Sequence, residues 1–160
     1  MIPLARILLV EDDPADVRLV LAAFRDIGLA SEIFVVTDGV QALDYLHRRG
    51  TFRDRPPGDP SVVLLDIKLP RVDGLQVLTQ MRADPALRLI PVVVLTSSSQ
   101  EDDLRRAYEL GVNGYVVKTV DPEAYEARLR AIGQYWVAAN EPPPGSLRQL
   151  KSYLTGVALP

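Results

Sequence analysis

Ile7-Leu8-Leu9-Val10-Glu11-Asp12-Asp13-Pro14 holds a strand, an acidic turn and a helix start in one short stretch. The four apolar residues run without a polar interruption, which is the pattern of a strand covered on both faces. Three acids follow at once, and Asp13-Pro14 sets a capping acid before a proline suited to the first helical turn. Three more segments repeat the apolar run: Val62-Val63-Leu64-Leu65, Val92-Val93-Val94-Leu95 and Tyr115-Val116-Val117. A further strand is predicted over Glu32 to Thr37, around Ile33 to Val36.

Helical patterns fill the intervals. Asp121-Pro122 repeats the capping pair, and Ser98 with Glu101 fits a capping box for a helix that runs to about Leu110 and stops at Gly111. The last long helix carries Tyr125, Leu129, Ile132 and Trp136 on one face. Strand–helix alternation repeated in this way implies an α/β fold, a parallel sheet with helices on both faces. Right-handed crossovers and short connections favour a doubly wound, flavodoxin-like (βα)5 sheet of order 2-1-3-4-5. Two stretches fall outside the alternation. Gly50 to Pro60 reads as a proline-rich loop, and Pro142-Pro143-Pro144-Gly145 breaks the last helix. The expected organisation is one domain over 1–140 and a tail over 141–160 without an output domain. Leu147, Leu150, Tyr153 and Leu154 form a short amphipathic stripe in that tail.

Composition narrows the chemistry. A chain of 160 residues can bury a core without staples. With no cysteine, neither a disulfide nor a thiolate zinc site is available, and a single histidine, His47, excludes a multi-histidine metal site. His47 lies beside Arg48 and Arg49 late in a helix and is expected to face solvent, as is the Arg105-Arg106 pair. A net charge of −3 without a basic cluster speaks against a nucleic-acid partner. Ile7 to Val10 is too short for a signal peptide or a membrane span, so a soluble cytoplasmic chain is expected.

Open parallel sheets bind ligands outside the carboxyl ends of their strands, at the switch in strand order. Glu11, Asp12 and Asp13 follow the first strand, and Asp66, Thr96 and Lys118 end or follow three others. Clustered carboxylates repel one another unless pKa values rise or a cation binds. All-oxygen ligands in an open pocket suit Mg²⁺. Lys118 supplies a positive charge and Thr96 a hydroxyl, complements to a phosphoryl group whose transfer needs positioning and charge neutralisation. A carboxylate nucleophile is established chemistry for such a transfer.

Leu8 to Pro14, Leu64-Leu65-Asp66-Ile67-Lys68-Leu69-Pro70 with Asp73-Gly74, Pro91 to Ser97, and Gly114 to Lys118 resemble the motifs of the response-regulator receiver family of two-component signalling. The resemblance implies that Asp66 is phosphorylated by a sensor histidine kinase. It implies a Mg²⁺ site made by Glu11, Asp12, Asp66 and the backbone carbonyl of Lys68, with Asp13 as a helix cap. Thr96 would bond the phosphoryl group, Lys118 would pair with it, and Tyr115 would turn inward when Thr96 moves. The family usually has proline, commonly after a cis bond, where this chain has Thr119. A non-proline cis bond is costly, so Lys118–Thr119 is expected to be trans. Lys68 stands at a position that varies in the family and affects phosphoryl lifetime.

The long loop, Thr119 and Tyr135-Trp136 are similar to the small regulators that serve bacterial phytochrome histidine kinases. That likeness implies a phytochrome-type kinase, a downstream protein the sequence does not name, and signalling by protein contact. The tail could fold back on its own domain or cross a two-fold axis, and the likeness favours a homodimer through the last helix and tail. Two alternatives stand beside this reading. One is an adaptor that is never phosphorylated, although acceptor and lysine are both present. The other is an aspartyl-nucleophile phosphatase, which needs a second acid where Lys68 stands. No enzymatic activity beyond self-phosphotransfer and autodephosphorylation is expected.

Overall fold

The computed structural model describes residues 5–147. Its elements alternate as the sequence predicts: β1 (Ile7–Val10), α1 (Pro14–Asp26), β2 (Ile33–Val36), α2 (Gly39–His47), β3 (Val62–Leu65), α3 (Gly74–Ala83), β4 (Val92–Thr96), α4 (Glu101–Glu109), β5 (Gly114–Val117) and α5 (Pro122–Gly133). The strands are parallel and lie in the order β2-β1-β3-β4-β5, the flavodoxin-like arrangement.

Alternation of side chains divides the core in two. Leu8, Val10, Val63, Leu65, Val92 and Val94 face α2, α3 and α4. Ile7, Leu9, Val62, Leu64, Val93 and Leu95 face α1 and α5. β1, β3 and β4 are buried throughout, as continuous apolar runs require. β5, also predicted to be covered on both faces, is only half-buried, because it is an edge strand with a neighbour on one side.

Both predicted aspartate–proline caps form. Asp13 accepts from the Ala15 amide at 2.8 Å and Asp121 from the Glu123 amide at 3.1 Å. The predicted Ser98–Glu101 capping box does not. α4 starts one residue after Gln100, which makes no side-chain cap, and Ser98 Oγ donates to Asp103 Oδ2 at 2.5 Å. The loop holds Ser98 two residues ahead of the cap position, where its hydroxyl reaches the Asp103 side chain in the first turn of the helix.

The last helix also departs from expectation. Tyr125, Leu129 and Ile132 are buried, but Gln134–Ala139 winds as a π-helix, and the Asn140 amide bonds the Tyr135 carbonyl five residues back. The wider turn moves the buried position from Trp136 to Val137, five after Ile132. Trp136 is left half-buried with Tyr135 against it edge-on, at 5.0 Å between ring centroids, and Tyr135 is 54% exposed.

The segment before β3, read as a plain loop, has its own small core. Phe52 packs edge-on against Phe34 and Tyr45, which stack at 4.8 Å. Arg55 is 2% exposed, lies 4.4 Å over the Tyr45 ring, and donates to the carbonyls of Tyr45 (2.9 Å), Gly58 (2.7 Å) and Pro56 (3.2 Å). A buried guanidinium thereby closes the C-terminal end of α2, whose last carbonyls have no intrahelical donor. Arg55→Ala should cost about 3 kcal/mol, since it removes a buried cation that bonds the carbonyls of Tyr45, Pro56 and Gly58 and leaves a cavity. Urea unfolding measures it, and a loss below about 1 kcal/mol would mean that the loop repacks without the cation.

Past the proline break the chain returns to this loop. Leu147 is buried, its amide bonds the Asp59 carbonyl at 2.8 Å, and its carbonyl accepts from Ser61 Oγ at 2.6 Å. The start of the tail therefore folds back on its own domain. Leu150, Tyr153 and Leu154 of the predicted stripe lie outside the described residues.

Candidate functional site

Register brings the functional residues to one edge. Val10 lies level with Leu65, Leu65 with Val94, and Thr96 with Val117. The ladder continues beyond the strands: the Glu11 amide donates to the Val36 carbonyl, that of Asp66 to Val10, and that of Lys118 to Thr96. Glu11, Asp66, Thr96 and Lys118 thus leave the sheet side by side at the carboxyl ends of β1, β3, β4 and β5.

Carboxylate oxygens of Glu11, Asp12 and Asp66 lie within 4.8 Å of one another. Glu11 and Asp66 are buried while Asp12 is exposed, so the cluster opens to solvent through Asp12. Three oxygen donors at one open edge fit a hard divalent cation that keeps part of its hydration shell. Asp13 turns away to cap α1, as expected. Lys68 is exposed, and its backbone amide meets Asp66 Oδ1 at 3.2 Å, which places its main chain against the Asp66 carboxylate.

The loop between Asp66 and α3 is held tightly. The Gly74 amide bonds the Ile67 carbonyl at 2.8 Å, and Asp73 and Gln76 form a reciprocal capping box. Arg71 adopts a left-handed conformation with φ of 65° and reaches Asp38 Oδ2, at the start of α2, at 2.7 Å.

Lys118 Nζ donates to Glu11 Oε2 at 2.7 Å, Asp16 Oδ2 at 2.8 Å and Asp66 Oδ2 at 3.0 Å. Burial works against its charge, but the bonds to Asp16, Glu11 and Asp66 raise its pKa, so it stays protonated. Burial pushes the Glu11 carboxyl up to about 7, and the Asp66 charge adds to the rise; the bonds from Lys118 and the Asp13 amide offset only part of it. Asp16 was missed by sequence reasoning. An acid in the first helical turn is the ordinary complement of a helix dipole, so nothing local distinguishes it.

Thr96 is fully buried and its Oγ1 accepts from the Ser98 amide at 3.2 Å. The Ser98 carbonyl accepts from the Tyr115 hydroxyl at 2.9 Å. Ser98, singled out only as a cap, therefore bridges Thr96 and Tyr115. The Lys118–Thr119 bond is trans, as expected, and Thr119 Oγ1 donates to the Asp121 carbonyl. His47 is exposed overall, but Nε2 lies 3.2 Å from Asp84 rather than pointing freely into solvent. Arg105 pairs with Glu101 along the exposed face of α4.

Glu11 makes the metal-free protein pH-sensitive. Its folded pKa lies above the unfolded value of 4.5, so its contribution is full below that value and is lost as pH rises through about 7. Stability in EDTA should fall by about 2–3 kcal/mol between pH 5 and pH 8 relative to Glu11→Gln. Urea midpoints at the two pH values check this. Parallel profiles for the two proteins would mean that Glu11 is ionised throughout.

A doubly wound parallel sheet with an acid pocket, a strand-end aspartate, a buried threonine and a lysine at one edge defines a phosphoacceptor domain. A model of the response regulator receiver domain matches residues 7–130, and the chain belongs to that family. Rcp1 of Synechocystis is 38% identical over 131 residues, 82% of this chain and 88% of that protein. The Mn²⁺-bound structure of Rcp1 superposes with a TM-score of 0.81, covering 88% of this chain and 99% of that one at 37% identity. The bacteriophytochrome response regulator RtBRR is 52% identical with a TM-score of 0.70, over 94% of this chain and 91% of its own. The probable methanogenesis regulatory protein FilR2 of Methanothrix harundinacea is 44% identical over 138 residues, 86% of each chain. Receiver domains take phosphoryl groups from histidine kinases and bind a divalent metal, and the acid cluster here fits both roles. Among the described residues no helix is long and apolar enough to cross a membrane.

Proposed function

We propose that this chain is a cytoplasmic phosphoacceptor that receives its phosphoryl group on Asp66 from a phytochrome-type sensor histidine kinase, with Mg²⁺. The observation that carries the proposal is the Asp66 carboxylate itself. One oxygen is held by the Lys68 amide and the other by Lys118, inside the acid cluster. The likeness to Rcp1 and RtBRR supports the phytochrome assignment.

Glu11, Asp12, Asp66 and the Lys68 carbonyl would hold the cation, which when bound neutralises phosphoryl oxygens and orients them. Asp66 attacks phosphorus in line; the new O–P bond forms as the P–N bond of phosphohistidine breaks, and the imidazole leaves. Lys118 directs its charge at the transferred group. Thr96 Oγ1 turns to a phosphoryl oxygen, which releases the Ser98 amide, and Ser98 carries the change to Tyr115 through its carbonyl. The output is a contact of α4, β5 and α5 with a downstream protein. Slow hydrolysis of the acyl phosphate resets the domain, and no other enzymatic activity is assigned. Lys68, where a phosphatase would need a second acid, disfavours the phosphatase reading.

Exposed Tyr135 beside half-buried Trp136 supports a homodimer through the last helix. Two measurements test these assignments. Phosphotransfer from purified histidine kinases should be fastest from a bacteriophytochrome, and equal rates from unrelated kinases would remove the phytochrome partner. Sedimentation of the full chain and of a chain ending at Asn140 should show a dimer for the full chain; a monomer throughout, with or without phosphodonor, would remove the dimer.

A further inference from the structure

A protonated lysine has three N–H donors, and Lys118 spends all three on carboxylates: Glu11, Asp16 and Asp66. Two of these acceptors are committed elsewhere. Glu11 and Asp66 belong to the cluster that fits a divalent cation, and Asp66 is also the proposed nucleophile. Asp16 lies outside that cluster. It stands in the first turn of α1, a helix capped by Asp13 and packed on the sheet through Val20, Ala23 and Phe24. Its side chain is 25% exposed and that of Lys118 is 12% exposed, so their pairing at 2.8 Å is shielded from bulk water.

We propose that Asp16 is a positioning residue for phosphoryl transfer. It is the tether that keeps the Lys118 ammonium in place when a cation draws on Glu11 and Asp66 and when Asp66 becomes an acyl phosphate. This rests on Asp66 as the acceptor. The physical need is specific to lysine, a point charge on a flexible four-carbon stem that loses its aim once its acceptors are withdrawn. An acceptor on a rigid helix, outside the metal cluster, holds the charge at the reacting edge. With Asp16 absent, the ammonium leans wholly on Glu11 and Asp66 and competes with the cation for them.

Acetyl phosphate supplies the phosphoryl group, and intact mass follows its addition at saturating Mg²⁺. Free Mn²⁺ measured by electron paramagnetic resonance reports cation binding without any turnover. Asp16→Asn, whose amide oxygen can still accept but carries no charge, should slow phosphorylation about tenfold through loss of the charge-assisted pairing, and weaken Mn²⁺ binding about threefold. Asp16→Glu should restore most of both. In a Lys118→Ala background, with rates followed over hours, Asp16→Asn should change the rate less than about twofold, because Asp16 acts through the lysine. A wild-type rate for Asp16→Asn overturns the proposal. An equal loss in both backgrounds also overturns it, since Asp16 would then act through general charge or helix stability. Modification of Asp66→Asn, run alongside, would instead overturn Asp66 as the acceptor.

Discussion

Asp66→Asn should abolish phosphorylation by acetyl phosphate and Mg²⁺ while making the metal-free protein more stable. The first effect follows from chemistry: an amide oxygen at this position is far too weak a nucleophile to attack phosphorus. Intact mass should show one added phosphoryl group on wild type and none on the variant, and EDTA should prevent the addition to wild type. The second effect follows from charge. One ammonium faces Glu11, Asp16 and Asp66, with Asp12 beside them. The substituted amide would keep the shape of the carboxylate and remove one of the crowded charges, and Lys118 would retain Glu11 and Asp16 as acceptors. Relief of that like-charge repulsion is expected to be worth about 1–2 kcal/mol. Millimolar Mg²⁺ should reverse the order by stabilising wild type more than the variant. A lower urea midpoint for the variant in EDTA would mean that Asp66 holds the fold together instead of straining it. Persistent modification would mean that the phosphoryl group lands elsewhere.

Gly74→Ala should unfold the site from beneath. A Cβ on Gly74 would lie 2.0 Å from the Asp66 carbonyl oxygen and 2.7 Å from the Ile67 Cα, and both obstacles are main chain. Backbone cannot rotate aside as a side chain can, so the loop after Asp66 and the start of α3 must part. A cost of about 3 kcal/mol or more is expected, with Tm lower by about 10 °C in a chain of this size. Phosphorylation should slow as well, because the carbonyl that is displaced belongs to Asp66. Gly114→Ala is the matched control: there the nearest atoms, in Val93, are 3.6 Å away, an ordinary contact. Equal Tm values for the two alanine variants would show that the loop yields without cost.

Much of this protein is legible in short windows of sequence. The apolar runs at Ile7, Ile33, Val62, Val92 and Tyr115 became the five strands, and Asp13 and Asp121 became caps. Both depend only on local backbone preference and side-chain alternation. Glu11, Asp66, Thr96 and Lys118 could be assigned to one edge because a parallel sheet places all its strand ends together. Asp12 followed from its neighbour. Errors arose where a local pattern had two physical outcomes. Ser98 had acceptor and donor options within the same loop, and distance in three dimensions chose Asp103 over a cap. The apolar spacing to Trp136 assumed an unbroken α-helix, and one π turn shifted it to Val137.

Sequence by itself determined the alternation, the sheet order and which residue types stand at the edge, because each rests on periodicity, capping and residue type. Tertiary structure alone decided which charges meet. Asp16 and Lys118 are 102 positions apart, and their pairing depends on how α1 crosses the sheet. Arg55 stands in the proline-rich loop, yet it is buried there, donating to the Tyr45 carbonyl near the end of α2 and to the Gly58 carbonyl of its own loop. The Ser98 link between Thr96 and Tyr115 exists only once β4 and β5 are in register. Long-range electrostatics and hydrogen bonding depend on positions that no local window contains.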